Sequence, residues 1–483
     1  MSGTVRIGIG SDPSTLDPAL INNIQDAYVA SPVYETLVRR TDSGQVVGGL
    51  AINWDVKPDK ATFTLRDKIF CSDGTPLSAS AVAASLNRLV APGTKSNSAR
   101  FSFGTGTATA QGDDAANTVT VSLSKPWSDL LVGVAMPWTA IICPAGLADP
   151  ASLATRSAGT GPYILDGATP GRSYTYVRRS DHTPPPDPTV TRSGKTPQKL
   201  VYEVVNDSST MANALQTGQL DAGLLTDPNV ERFSGAGGFT VESKNVGSSL
   251  LIFNQARGKP TADPSVRRAL MATIDKNAFN RATWAGKAEV ISSLSPAGPS
   301  CADSSKADAG PTFDLAKAKE DLAGQKLKIR VVGTTQAAGG AGTAYVQAAL
   351  KEAGVDATLA NTDTTTWATT LFGGTNNWDA TVLFAINLAG TLAAVGGYLL
   401  GPPPPAGVNF ANIDNASFSG HFGEATTKAG NASCGAWADA QRDLMGNYDV
   451  LPLSGVLFQL VWSAKVKGSA PNGVIDGTSL RLQ

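Results

Sequence analysis

From residue 263 onward the chain alternates capped helical segments with short apolar strands, a pattern that folds as α/β layers. Asp263-Pro264 offers an N-cap followed by proline at the first helical position, and Val266, Leu270 and Ile274 mark one buried stripe. Asp314 opens a helix through Leu322 that Gly324 can close, and Gly354 can end another over 344–353. Stretches 250–254, 326–332 and 380–384 read as buried strands. Earlier, Ser78 or Ser80 precedes a helix over 81–90 with Val82, Leu86, Leu89 and Val90 on one face. Asp207 and Ser208 precede a helix carrying Met211 and Leu215, which Gly218 can end. Stretches 61–66, 117–123, 172–178 and 199–205 alternate polar and apolar residues, as half-buried strands do. Residues 40–155 are richer in strands and turns, as in an α+β insertion. The prolines of 183–188 form a loop too short to link domains.

At 483 residues the chain exceeds one ordinary core and suits two or three domains. Its 39 basic and 40 acidic side chains nearly cancel, leaving net charge -1, which gives no basis for binding nucleic acid or an anionic membrane. With charged residues at 16%, the surface relies on Ser, Thr, Asn and Gly, as in a stable secreted protein. A strand over 4–9 follows the start directly, so in an exported chain the leader and any lipid-bearing cysteine have been removed. Residues 380–400 carry no charge but are too rich in Gly, Ala, Thr and Asn for a membrane span, and prolines 402–405 follow. A buried strand and a cleft-lining loop fit better.

Chemistry-bearing residues are sparse. His182 and His421 stand alone, and no HExxH, GxSxG or phosphate-loop pattern occurs. Cys71, Cys143, Cys301 and Cys434 form no CxxC, which argues against zinc clusters and thioredoxin-like redox sites. They permit two disulfides in any of three connectivities, or four buried thiols. Neither a metal nor a cofactor is expected.

Several local signatures stand in a fixed order. They are Ser11-Asp12-Pro13-Ser14-Thr15-Leu16-Asp17-Pro18, Tyr34-Glu35-Thr36-Leu37, Ser72-Asp73-Gly74-Thr75-Pro76, Gly159-Thr160-Gly161-Pro162-Tyr163, Leu215-Gln216-Thr217-Gly218 with Asp221, and Val266-Arg267-Arg268-Ala269-Leu270 with Ile274-Asp275. In this order, across roughly residues 4–465, the chain resembles family 5 of the bacterial extracellular solute-binding proteins, the dipeptide-, oligopeptide- and nickel-binding receptors of ABC importers. The resemblance implies a two-lobed α/β fold of the periplasmic-binding-protein type (type II), with an extra subdomain in the first lobe and a hinge between lobes. It divides the chain into 1–37, an inserted subdomain 38–156, and 157–249 in lobe I, 250–452 in lobe II, and 453–483 returning to lobe I. Pairing within lobes, Cys71 with Cys143 and Cys301 with Cys434, then leaves the hinge free.

The same resemblance implies a monomeric, non-enzymatic receptor outside the cytoplasm, secreted or lipid-anchored, that closes on a small peptide-like or other polar solute and hands it to a permease. It places Asn22, Asn23, Gln25 and Asp26 in the cleft from one lobe, and Trp367, Phe384 and Asn387 from the other. Peptide-binding relatives carry an Asp for the peptide ammonium where this chain reads Phe384-Ala385-Ile386-Asn387-Leu388. A free N-terminus is then held elsewhere, by Asp26, or the ligand is a sugar, a modified peptide or a specialised metabolite. Nickel is disfavoured by the scarcity of imidazole and thiolate. A ligand-sensing receptor and a cleft enzyme are the alternative readings; the second lacks a visible nucleophile–base pair.

Overall fold

The computed structural model describes residues 3–182, 184, 193–296, 301, 310–335 and 337–483. Most of the proline-rich loop expected at 183–188 lies outside the described residues.

Helix starts fall where the caps sit. The Ser78 hydroxyl accepts from Ala81 N and opens Ala79–Val90. Asp207 caps Ser208–Gln216, Asp263 caps Pro264–Ala272 and Asp314 caps Leu315–Leu322, each by accepting a first-turn N–H. The stripe of Val266, Leu270 and Ile274 is buried under the strands it packs on. Gly218, Gly324 and Gly354 follow their helices with positive φ.

Ten strands form one sheet. Its order is Asp356–Thr362, Lys328–Thr334, Ala380–Ile386, Phe239–Phe253, Val450–Ser463, Ala222–Leu225, Thr4–Ile9, Lys199–Val204, Ser173–Arg178 and Tyr163–Thr169. Two long central strands join its halves. Residues 239–245 pair with 457–463, next to Ala222–Leu225; residues 248–252 pair with 450–455, beside Ala380–Ile386. The ladder shifts register between Asn245 and Ser248. A separate antiparallel sheet, in the order Ala51–Lys57, Lys60–Leu65, Thr118–Leu123, Ala108–Asp113, with the helix Ala79–Val90 against it, forms the strand-rich insertion. The uncharged stretch from 380 is the strand Ala380–Ile386, a turn and the short helix Leu392–Gly396. Among the described residues no helix is long and apolar enough to cross a membrane.

The signatures meet inside the fold as scaffold. Glu35 is buried and takes Arg66 Nη2 on both carboxylate oxygens at 3.1 Å; His182 Nε2 lies 3.6 Å away. Burial alone would raise the Glu35 pKa, but His182 and Arg66 outweigh it and hold the carboxyl below its usual range. At Gly159 and Gly161 the chain crosses residues 32–33 so closely that a Cβ would sit 2.3 and 2.6 Å from backbone atoms. Gly161 N donates to Val33 O at 2.7 Å in that crossing. In the other half, buried Arg267 donates to the carbonyls of Thr261, Ala262, Asn447 and Tyr448 and pairs with Asp449 at 3.1 Å, tying its helix to the start of a central strand.

Two disulfides are present, Cys71–Cys143 and Cys301–Cys434. The first lies within the insertion and its flank, the second within the half built on Ala380–Ile386. Replacing Cys71 and Cys143 by serine is expected to cost about 2–4 kcal/mol, read as a lower urea midpoint with unchanged slope. Glu35→Ala leaves Arg66 charged and buried without its carboxylate, so a loss of about 3–5 kcal/mol is expected in the same assay.

Candidate functional site

Asp26 shapes the loop that enters the junction between the halves. Its carboxylate accepts from Ser14 N at 2.6 Å, Ser14 Oγ at 2.9 Å, Thr15 N at 3.3 Å and Asn22 N at 3.2 Å. Asn23 Oδ1 accepts from Asp26 N and caps the helix Ile24–Ala30. Residues 21–23 and the start of that helix are thereby fixed in place. In the second half, the Asn387 carboxamide folds the turn after Ala380–Ile386. Its Nδ2 donates to Thr391 O at 2.8 Å and its Oδ1 accepts from Gly390 N at 2.9 Å.

Between these two segments lies a cavity of about 260 Å³. The first half contributes Asn22, Asn23, Gln25, Ser98, Phe101 and Trp138 to its wall. The second contributes Thr364, residues 385–389, Ala394, Val395 and Tyr398. Ile386 keeps 39% of its surface uncovered there. The halves touch at the rim. Arg40 Nη1 donates to Ala389 O at 2.6 Å, and Asn472 Nδ2 donates to Leu388 O. The Phe101 and Tyr398 rings lie 5.6 Å apart, with the Arg100 guanidinium over both. Burial raises the Tyr398 pKa, so its phenol stays protonated.

Asn22, Asn23, Gln25 and Asn387, expected in the cleft, all line this cavity. Three other expected residues stand outside its lining. Asp26 is fully buried and committed to the four donors above, so it offers no oxygen to a ligand ammonium. Trp367 belongs to the core beside Leu371, its Nε1 donating to Thr381 Oγ1 at 3.1 Å. Phe384 packs edge-on against Trp284 at 6.1 Å. Phe101, Trp138 and Tyr398 carried no local signal, because only the tertiary fold brings them together.

Asp129 sits at the same junction. Part of the residue meets solvent, but its Oδ2 is sealed and has no well-formed hydrogen bond among the described residues. Burial raises its pKa; the Thr391 hydroxyl from the opposite half, Ser128 and the Arg40 charge offset this only in part.

The chemistry of this site is enclosure. Its wall is shared by two halves that the long central strands join, so a molecule seated in it would touch both. Among the described residues no group of three His, Cys, Asp or Glu is placed to hold a metal. A two-lobed α/β chain with a ligand-sized cavity at the junction is a solute-trapping binding protein by architecture. Residues 45–391 match the profile of the bacterial extracellular solute-binding proteins, family 5 (middle region), and the chain belongs to that family. It is 33% identical, with TM-score 0.85 and complete coverage of both chains, to a substrate binding protein from Microbacterium hydrocarbonoxydans solved with 4-hydroxybenzoate hydrazide. The fold also matches Helicobacter pylori DppA solved with the peptide STSA, at TM-score 0.81 and 20% identity over 100% of this chain and 98% of that one. The probable D,D-dipeptide-binding periplasmic protein DdpA of Escherichia coli K12 is 31% identical over 44% of this chain and 42% of its own length. The glutathione-binding protein GsiB of Escherichia coli is 28% identical over 66% of this chain, and that match spans 60% of GsiB.

Asp129 carries a raised pKa at this junction. With the halves apart, Thr391 would be gone and water admitted, and the carboxyl would return toward its ordinary pKa. The closed form therefore holds a proton more tightly than the open form. The penalty on closure is present in full above the closed-state pKa and is lost as pH falls through it toward the ordinary carboxylate range. Ligand-free protein should shift toward the compact form on acidification, seen as a smaller radius of gyration in solution scattering. Asp129→Asn should flatten that response; an unchanged acid response in the variant refutes the assignment.

Proposed function

We propose that this chain is the extracytoplasmic solute receptor of an ABC-type importer. It works as a monomer without a cofactor, secreted or lipid-anchored, closing on one small peptide-like or other polar solute and passing it to a membrane permease. The observation that carries this reading is the cavity whose wall comes from residues 21–25 and 98–138 on one side and 364–398 on the other. Such a wall makes ligand contacts available only when the halves are together, so occupancy favours the closed form by its differential contacts. Hinge closure around a ligand is the established behaviour of periplasmic binding proteins, and the mechanism comes to this chain with its family.

We divide the chain into lobe I at 1–37, 38–156, 157–249 and 453–483, and lobe II at 250–452. The register shift at 245–248 supports a hinge in the central strands. The relatives' ligands, a D,D-dipeptide, glutathione and an aromatic hydrazide by their names, bracket the scale of the expected solute. A sensory receptor using the same closure is the second reading, and an enzyme is the third. Among the described residues no histidine, cysteine, carboxylate or lysine lines the cavity to act as nucleophile or base.

Native mass spectrometry of freshly purified protein should reveal one small molecule that unfolding releases unchanged. At a hundred times its dissociation constant that molecule should stabilise the refolded protein by about 2.7 kcal/mol and lower its radius of gyration. Conversion of the molecule to a product, or binding without compaction, would overturn the proposal. Stimulation of a reconstituted permease's ATPase separates import from sensing.

A further inference from the structure

Resting on the reading that the junction cavity is the ligand site, we infer that its ligand is a small, uncharged aromatic carboxamide or a close analogue, and not a zwitterionic peptide. The case rests on supply and demand for charge. No carboxylate, ammonium, guanidinium or imidazole side chain lines the cavity among the described residues. Asp26, on the helix that begins beside the wall, has its oxygens taken by Ser14, Thr15 and Asn22. A free α-ammonium enclosed here would lose its water and find no carboxylate in the wall, a penalty sufficient to weaken binding about a hundredfold or more.

What the wall does supply is aromatic area and neutral hydrogen bonding. Phe101, Trp138 and Tyr398 furnish three rings, and Ile386 lies uncovered beside them. Much of the wall's own polarity is already satisfied. Trp138 Nε1 donates to Ser102 Oγ at 2.7 Å, Ser98 Oγ donates to Ile21 O at 2.6 Å, and Asn387 is spent on its turn. Two groups remain available. The Gln25 carboxamide has no hydrogen-bond partner among the described residues, and Asn22 uses only its oxygen, for Asn23 Nδ2. A carboxamide on the wall offers one donor face and one acceptor face and is answered by an amide-like group on the ligand. Aromatic walls stack on a ring attached to it. The size agrees: about 260 Å³ accommodates a substituted benzene ring.

The test uses the full-length protein, stripped of any carried ligand by unfolding and refolding, and calorimetric titration with four probes. These are benzamide, 4-hydroxybenzamide, benzoate and the dipeptide Ala-Phe. Either benzamide is expected to bind at least about tenfold more tightly than benzoate and about a hundredfold more tightly than Ala-Phe. Gln25→Leu, at a half-buried position that folding tolerates, should weaken the benzamides about tenfold. Phe101→Ala should weaken all aromatic probes together. Tighter binding of Ala-Phe or benzoate, with loss of that binding in Gln25→Leu, overturns the ligand class while keeping the cavity as the site. Benzamide binding that neither substitution alters overturns the cavity reading itself. No heat from either benzamide up to about 1 mM also overturns the ligand class.

Discussion

The pairing of two strands, Phe239–Phe253 and Val450–Ser463, holds the molecule in one piece. Each serves one half of the sheet with its first residues and the other half with its last, so the two halves share hydrogen-bond ladders but have separate flanks. The ladder breaks register between Asn245 and Ser248, and there the partners change from Ala222–Leu225 on one side to Ala380–Ile386 on the other. A break in register relaxes backbone pairing locally and leaves it intact above and below. At the same point Gly247 passes so close to Ala385 that a Cβ would lie 1.9 Å from its carbonyl oxygen. The strand that ends in Ile386 is thereby seated directly on the crossing. The cavity wall at 385–389 follows from that seat.

Charge is distributed according to the same division of labour. Within each half, buried ions are paired and anchored to backbone: Glu35 with Arg66, and Arg267 with Asp449 and a set of carbonyls. Such pairs add little net stability but penalise any rearrangement that separates them. Between the halves an exposed ion pair, Lys287 with Glu231, stands beside contacts of a different kind. Arg40 meets carbonyl oxygens, Arg100 and Phe101 meet a tyrosine ring, and Asp129 meets little more than a hydroxyl. Buried ion pairs tie the interior of each half, and the junction is held mainly by hydrogen bonds and ring contacts.

How far the sequence foretells this differs by element. Asp and Ser caps announce the helices because a cap acts within four residues, and Asp207, Asp263 and Asp314 perform as their positions suggest. The strand Val450–Ser463 gives no such signal. All of its residues are buried, so polar and apolar positions do not alternate, and Pro452 and Gly455 interrupt the run. The first half of Phe239–Phe253 is hidden by the polar stretch Glu242-Ser243-Lys244-Asn245. For the site, the resemblance reaches Asn22, Asn23, Gln25 and Asn387, which lie near readable motifs. It does not reach Phe101, Trp138 and Tyr398, which come from three distant segments and share no spacing. Trp367 and Asp26 look like ligand groups in one dimension; in three dimensions Thr381 Oγ1 and the Ser14 turn claim their polar atoms.

The order of the cysteines along the chain has a consequence for manufacture. Cys71 and Cys143 precede Cys301 and Cys434, so the two bridges are consecutive and do not interleave. A polypeptide threaded outward from its N-terminus presents the first couple before either member of the second has emerged. An oxidant that simply joins these thiols as they arrive therefore favours the native connectivity.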